Sequence, residues 1–394
     1  MTQRVRLSEV LAALDQLYDP GWAAEWDAVG TVCGDPDAEV GRVLFAVDPV
    51  EAVVHEAVEA VVDLLVTHHP LLLRAVHGVA ATTPKGKVLH TLIRHGVALH
   101  TCHTNADSPP DGVSEALATA LGLVELRPLA PEPADALDKL VTFVPDGQAS
   151  AVMAALAAAG AGTFGDYEQC AFTSSGLGTF RPLPGADPTF GTVGEITRVK
   201  ETRIEMVMRR PLRGPVMAAL RAAHPYEEPA FDLLELAAID GGRGSGRVGV
   251  LPQPVSLRDF AAAVVASLPA TAGVVRVAGE LDRIVETVAV CGGAGDFLLD
   301  RVRTSGADAY VTSDLRHHPA SELLEHGRAE AGTPALVDVP HWAAEWLWLP
   351  VAARRLREVL AEKGTTVETL VSTTITDPWS LHLPMTCRDT GAVP

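Results

Sequence analysis

At 394 residues the chain exceeds what one ordinary hydrophobic core holds, so two or three domains are expected. Hydrophobic residues make up 47% and charged residues 21%, an ordinary globular balance in which few aromatics (5%) leave much of the core to Ala and Val. The net charge of −19, with no long basic run against it, argues against a duplex DNA or anionic-membrane partner, whose phosphates would be repelled over most of the surface.

The charged stretch Met1 to Val10 lacks the apolar segment of a secretory leader. In the N-terminal piece, Arg42 to Val47 reads as a strand ending at Asp48, followed by a helix from Val50. A short strand from Asp63 to Thr67 runs into His68-His69-Pro70, and another from Val97 to Cys102 into His103-x-x-x-Asp107. The eight residues Pro128 to Asp135 hold three prolines, and Asp240 to Gly246 is rich in glycine. Both compositions favour exposed linkers, which cut the chain into 1–127, 137–237 and 247–394.

The middle piece reads strand Lys139 to Val144, helix Gln148 to Ala159, strand Arg203 to Met208, helix Gly214 to Ala223 and strand Pro229 to Leu236. That order suggests an inserted α+β domain of ferredoxin-like type, with Gly160 to Gly194 carrying loops and an extra hairpin. In the last piece, a strand from Val285 to Val290 leads to a helix-like stretch, Gly295 to Thr304. Strand Ala309 to Thr312 follows and precedes Asp314 and His317-His318; strand Ala335 to Val339 precedes His341-x-x-x-Glu345. The first and third pieces thus share one pattern and read as a duplicated α/β host domain with mainly parallel strands. In such sheets functional groups gather beyond the carboxyl ends of the strands, where these His and acid residues fall.

Each group has a bland reading on its own. His68 and His69 form a strand-end pair whose adjacent, extended side chains diverge. Glu345 could serve only the helix dipole beside a surface His341, and Asp107, before Ser-Pro-Pro, could be a capping residue in a loop rather than part of a helix. Together, matched His and acid groups in both halves form a borderline-hard ligand set suited to Zn²⁺, Mn²⁺, Fe²⁺, Co²⁺ or Ni²⁺. Mixed sites of this kind commonly hold two ions about 3.5–4 Å apart that activate water. Asp48, His103, Asp314 and His317 are candidates to orient the imidazoles, whereas His318 and His326 read as surface or core residues.

Other motifs are weaker. Gly292-Gly293-Ala294-Gly295 reads as a tight strand-to-helix turn; it could hold a phosphate but lacks the lysine of a P-loop. His224-Pro225-Tyr226-Glu227-Glu228 reads as a structural loop. Five widely spaced cysteines (Cys33, Cys102, Cys170, Cys291, Cys387) and apolar runs too short to span a bilayer suggest a reduced, cytoplasmic protein.

Several segments resemble one family. Ala24-Glu25-Trp26-Asp27-Ala28-Val29-Gly30, Thr67-His68-His69-Pro70, His103 to Asp107, Val290 to Gly295 and His341-Trp342-x-x-Glu345 are similar to motifs of the GTP cyclohydrolase 1 type 2 homologue (Nif-three-like) family. Gly160-Ala-Gly162, Gly176-x-Gly-Thr-Phe180 and His224 to Pro229 resemble the inserted, PII- and CutA-like domain of its longer bacterial members. The resemblance covers nearly the whole chain. It implies two divalent metal ions on His68, His69, Asp107, His341 and Glu345, and a toroidal homohexamer whose inserted domains cap the ring. Ala28 stands where the family usually has Asn, and Ser313 where it usually has Gly. Two functions follow as expectations. One is a metal-dependent hydrolase of a nucleotide or related small molecule, with His103, Asp314 or His317 handling protons. The other is a non-catalytic metal-binding regulatory or scaffold protein.

Overall fold

The computed structural model describes residues 5–134, 136–165, 167–329 and 332–383. The chain divides into two compact units, one running to Glu132 and resuming at Gly242, the other spanning Pro133–Gly241.

The first unit is a mixed α/β structure built on two larger sheets. In one, strands Glu368–Val371, Arg42–Ala46, Leu64–Thr67 and Ala98–Thr101 lie parallel in that order, and Gly30–Cys33 closes the edge antiparallel. Leu64–Thr67 is buried throughout because both faces are covered, which is why it reads as an unbroken apolar run. Leu64 and Val66 face a core with Trp348 and Tyr18, while Leu65 faces the helices Glu51–Glu59 and Pro84–His95. Pro84–His95 is delimited by its own sequence: the Thr83 hydroxyl accepts from Gly86 N at 3.1 Å, Pro84 opens the first turn, and Gly96 ends the helix at φ +68°.

The second sheet has parallel strands Ile284–Ala294, Ala309–Ser313 and Ala335–Asp338 at its centre. Helices Leu299–Ser305 and His317–Ala329 connect them, in the same strand-helix succession as the first sheet. Arg276–Ala278 lies antiparallel on one side, and Asp240–Ser256 followed by Val124–Pro133 on the other. After Ala335–Asp338 the chain leaves this sheet. Helix Trp348–Glu362 packs into the core under the first sheet, and Glu368–Val371 extends that sheet. Trp348 is fully buried there, edge-on to Tyr18 at 5.4 Å, with its Nε1 donating to the Tyr18 hydroxyl at 3.2 Å.

Three local expectations are corrected. The proline-rich and glycine-rich stretches are neighbouring strands rather than linkers. The prolines are tolerated because Val124–Pro133 is an edge strand, where a missing N–H faces no partner. The glycines are required by close approach: at Gly244 (φ +154°) a Cβ would collide with the Ala130 carbonyl. Gly292 to Ala294 remain inside their strand, with a register shift between Val290 and Ala294, instead of forming a strand-to-helix turn. Thr104–Asp107 is a helical turn, not a loop.

The second unit is a four-stranded antiparallel sheet in the order Phe231–Glu235, Leu137–Pro145, Thr197–Arg209, Phe172–Phe180. Ile204, Met206 and Met208 alternate onto the face covered by helices Ala149–Ala158 and Arg213–Ala223 and share a core with Val152, Leu156 and Leu220. Cys33, Cys102, Cys170 and Cys291 are free thiols. Cys387, Asp135 and the leading residues Met1 to Arg4 lie outside the described residues. Among the described residues no helix is long and apolar enough to cross a membrane.

Candidate metal centre

Parallel strands end together, and this brings residues far apart in sequence to one edge. Asp48 lies two residues beyond Arg42–Ala46, His68 and His69 directly follow Leu64–Thr67, and His103 lies two beyond Ala98–Thr101. From the second half, Asp314 follows Ala309–Ser313, and His341 opens helix His341–Trp346, which carries Glu345 one turn later on the same face.

Glu345 is the hub and is only 3% exposed. Its Oε1 lies 2.8 Å from His341 Nε2 and 3.4 Å from His68 Nε2; its Oε2 lies 3.1 Å from His69 Nε2. Asp107 Oδ1 is 3.7 Å from His68 Nε2, and the Nε2 atoms of His69 and His341 are 3.4 Å apart. His103 joins His68 and His69 in one group with ligand atoms close enough for a single ion, and His69, His341 and Glu345 form another.

The far nitrogen of each imidazole is engaged by an oxygen acceptor. His68 Nδ1 donates to the Cys102 carbonyl at 2.9 Å, His69 Nδ1 to Asp48 at 2.7 Å, His103 Nδ1 to Asp27 at 2.8 Å and His341 Nδ1 to Asp314 at 2.7 Å. Because the partners are carbonyl or carboxylate oxygens, Nδ1 carries a proton in each ring, which leaves Nε2 as the nitrogen that a cation would take once its own proton is displaced. The partners are themselves fixed: Thr376 donates to Asp48, and Thr104 donates to Asp27 through its backbone N at 3.0 Å.

Burial and charge pull against each other here. Burial favours neutral Glu345, but His69, His68 and His341 outweigh it and hold the carboxyl well below its usual range. Burial likewise disfavours charged imidazoles, yet Glu345 and Asp48 raise His69 to about 11, and Glu345 and Asp314 raise His341 to about 9. Burial pushes Asp107 up to about 6. Asp27 is kept below the usual carboxylate range: burial opposes this, but hydrogen bonds from His103 and Thr104 prevail.

Asp107 Oδ1 is buried without a hydrogen-bond partner, and the buried Glu345 Oε2 meets only His69 Nε2, at 3.1 Å. An unsatisfied buried carboxylate oxygen costs more than a neutral group in the same position, and a cation would remove that cost. Imidazole nitrogens and carboxylate oxygens, each imidazole oriented from behind, fit a borderline divalent ion. Space is kept for it. Gly293 lies at φ +70°, and a Cβ there would come within 2.5 Å of Glu345 Oε1. One cavity of about 600 Å³ opens beside Trp26, His103, Asp107 and Gly293, and another of about 730 Å³ beside Asp48, Asp314 and Trp342; His69 and His341 line both.

His68, His69, His103, Asp107, His341 and Glu345 are therefore brought together, with Asp48 and Asp314 behind the imidazoles. Asp314 adopts φ +56°, an unusual conformation for a non-glycine residue, while holding His341. His317 is not brought in. It is exposed at the start of helix His317–Ala329, with its ring against His318 at 5.2 Å, and His326 is exposed further along the same helix. Sequence patterns do not single out Asp27 or Arg247. Asp27 meets His103 across 76 positions, with only its place in the Trp26-Asp27 segment to mark it. Arg247 sits in a glycine-rich run that gives no indication of burial.

Residues 5–378 match a profile of Duf34/NIF3 (NGG1p interacting factor 3). The chain is 50% identical over 378 residues to a Mycobacterium tuberculosis protein named GTP cyclohydrolase 1 type 2 homolog, covering 96% of this chain and 97% of that one. A Bacillus subtilis protein of the same name is 35% identical over 380 residues, covering 96% and 100%. Among solved structures, a Bacillus cereus protein related to NIF3 has 34% identity and a TM-score of 0.74, covering 97% of this chain and 100% of that one. A Staphylococcus aureus protein has 27% identity and a TM-score of 0.78 at the same coverage.

Proposed function

The chain belongs to the Duf34/NIF3 family, and from that premise we propose that it is a dinuclear metal-dependent hydrolase acting on a nucleotide or related small molecule. One observation carries this reading: His68, His69 and His341, each fixed from behind at Nδ1, turn Nε2 toward Glu345, and Asp107 beside His68 keeps a buried oxygen without a hydrogen bond. His68, His69, Asp107, His341 and Glu345 would hold two ions such as Zn²⁺, Fe²⁺, Mn²⁺, Co²⁺ or Ni²⁺. Ions of this kind polarise a carbonyl or phosphoryl group and make water acidic enough to attack at neutral pH.

The remaining residues have roles the geometry supports. Asp48 and Asp314 orient His69 and His341. His103 faces the cavity that holds Asp107 and Gly293, and its Nε2 accepts a proton as the Asp27 carboxylate stabilises the resulting imidazolium. Trp26, 63% exposed and edge-on to His103 at 5.9 Å, offers a flat apolar wall for a substrate ring. A centre that opens onto cavities on two sides suits turnover better than a closed structural ion.

We also read the matching strand-helix successions of the two sheets as a duplication, the second unit as a ferredoxin-like insert, and the assembly as a toroidal homohexamer, the last following from family membership alone. The functional test is hydrolysis of a panel of nucleotides and phosphoesters by metal-loaded protein. His103→Gln should lower kcat about 10²–10⁴-fold while retaining metal. Metal-replete wild type that turns over nothing on the panel overturns the hydrolase and leaves the binding or scaffold role.

A further inference from the structure

The second unit contains a cavity of about 670 Å³ that the metal centre does not use. It lies on the sheet face away from the two helices. Along Thr197–Arg209, Ile204 and Met206 turn toward the helices, so Glu201 and Arg203 alternate to the opposite face and line the cavity. The motif His224-Pro225-Tyr226-Glu227-Glu228 folds over the same space.

Phe143, Phe180, Phe190 and Tyr226 bring aromatic rings to a lining otherwise rich in small residues. The Tyr226 ring stands edge-on to Phe180 at 5.6 Å and to Phe190 at 6.0 Å, with His224 at 5.1 Å beside it. Its polar side is a carboxylate. Glu201 is 8% exposed, and its Oε1 accepts from the Tyr226 hydroxyl at 2.7 Å. Gly178 makes room for this group, since a Cβ there would overlap the Glu201 carboxylate.

The charge balance is negative. His224 adds nothing positive: its Nε2–H donates to the Phe143 carbonyl at 3.0 Å, its Nδ1 accepts from Tyr226 N at 3.1 Å, and burial lowers its pKa. The Arg203 guanidinium pairs with Glu205 at 2.9 Å, and Glu205 also takes Lys139 at 3.0 Å. Against Arg203, the lining carries Glu201, Glu227 and Glu228.

We propose that this cavity is a binding site for a small organic cation, an alkylammonium group carried on an apolar body. Aromatic faces attract a desolvated ammonium through the ring quadrupole, and a mostly buried carboxylate supplies the counter-charge. The volume falls in the range of small-molecule sites, roughly 300–1,000 Å³. A bare divalent ion fits less well, because it prefers a close shell of oxygens to rings. The site stands independently of the metal centre.

The test uses the full chain and choline, compared by calorimetry with its uncharged carbon isostere, dimethylbutanol. Choline should bind at least roughly tenfold more tightly than the isostere. Glu201→Gln and Phe190→Leu should each weaken choline by a similar factor, with the thermal midpoint and metal content unchanged. Equal binding of the two probes would show an apolar pocket without charge selection and overturn the proposal. So would no choline binding at tens of millimolar, or unchanged affinity in a folded Glu201→Gln protein. The comparison of the two probes on wild type needs no variant to fold.

Discussion

Glu345 is a carboxylate almost removed from water, and its neighbours determine whether it stays charged. A buried unpaired carboxylate would take up a proton; here three imidazoles surround it and hold it ionised. The arrangement tolerates no extra atom on one side, where Gly293 faces Glu345 Oε1. Gly293→Ala would place a side chain in the left-handed region at a cost of about 1–2 kcal/mol and push Glu345 off its position. Its metal affinity should fall about 10–100-fold, the range seen when a ligand's orientation is disturbed, with far-ultraviolet circular dichroism unchanged. Competition with a chromophoric chelator measures this; wild-type affinity in the variant would remove Gly293 from the account. The residues at this centre were legible to different degrees. His68, His69, His341 and Glu345 stand out because adjacent histidines and an i, i+4 pair leave marks in the sequence. Asp27 does not, because its partner His103 becomes a neighbour only when strand Ala98–Thr101 ends beside the Trp26 segment. His317 lies so near Asp314 that spacing groups it with the centre, but it sits exposed at the start of the next helix, against His318.

At the scale of elements, Arg247 shows how strand and site are joined. It is 1% exposed and uses every donor it is given: Nε to Glu115 at 2.9 Å, one terminal nitrogen to the Gly244 and Gly246 carbonyls, the other to those of Ser108 and Pro109. It thereby pins the segment immediately after Asp107 to strand Asp240–Ser256. Arg247→Met leaves four carbonyls and Glu115 without their donor, and should destabilise the protein on the order of 3–5 kcal/mol. Arg247→Lys should restore little, since an ammonium cannot span that fork of acceptors. Urea unfolding checks both, and a loss under 1 kcal/mol in Arg247→Met would contradict the role. Strand and helix order in the first unit could be read from apolar runs and turn residues, because both sheet faces are buried and strand ends are polar. The two strands Val124–Pro133 and Asp240–Ser256 could not. Proline and glycine suggest linkers unless one knows that the first is an edge strand and the second needs space against it.

On the scale of the molecule, the histidines and carboxylates come from two halves whose chains interlock: the last helix and strand of the second half complete the core and sheet of the first. Glu345 and His341 therefore reach His68 and His69 only in the fully folded unit, and a cation shared among them would be coupled to folding as well as to chemistry. The net charge of −19 does not hinder such a centre, whose local field is set by its own ligands. The most direct measurement is metal content per chain by plasma mass spectrometry, on untagged wild type and Glu345→Ala purified without chelator. About two ions per wild-type chain, with clear loss in a folded Glu345→Ala protein, is the predicted result. Wild type that holds no metal even after reconstitution, or Glu345→Ala that keeps the full complement, would contradict it.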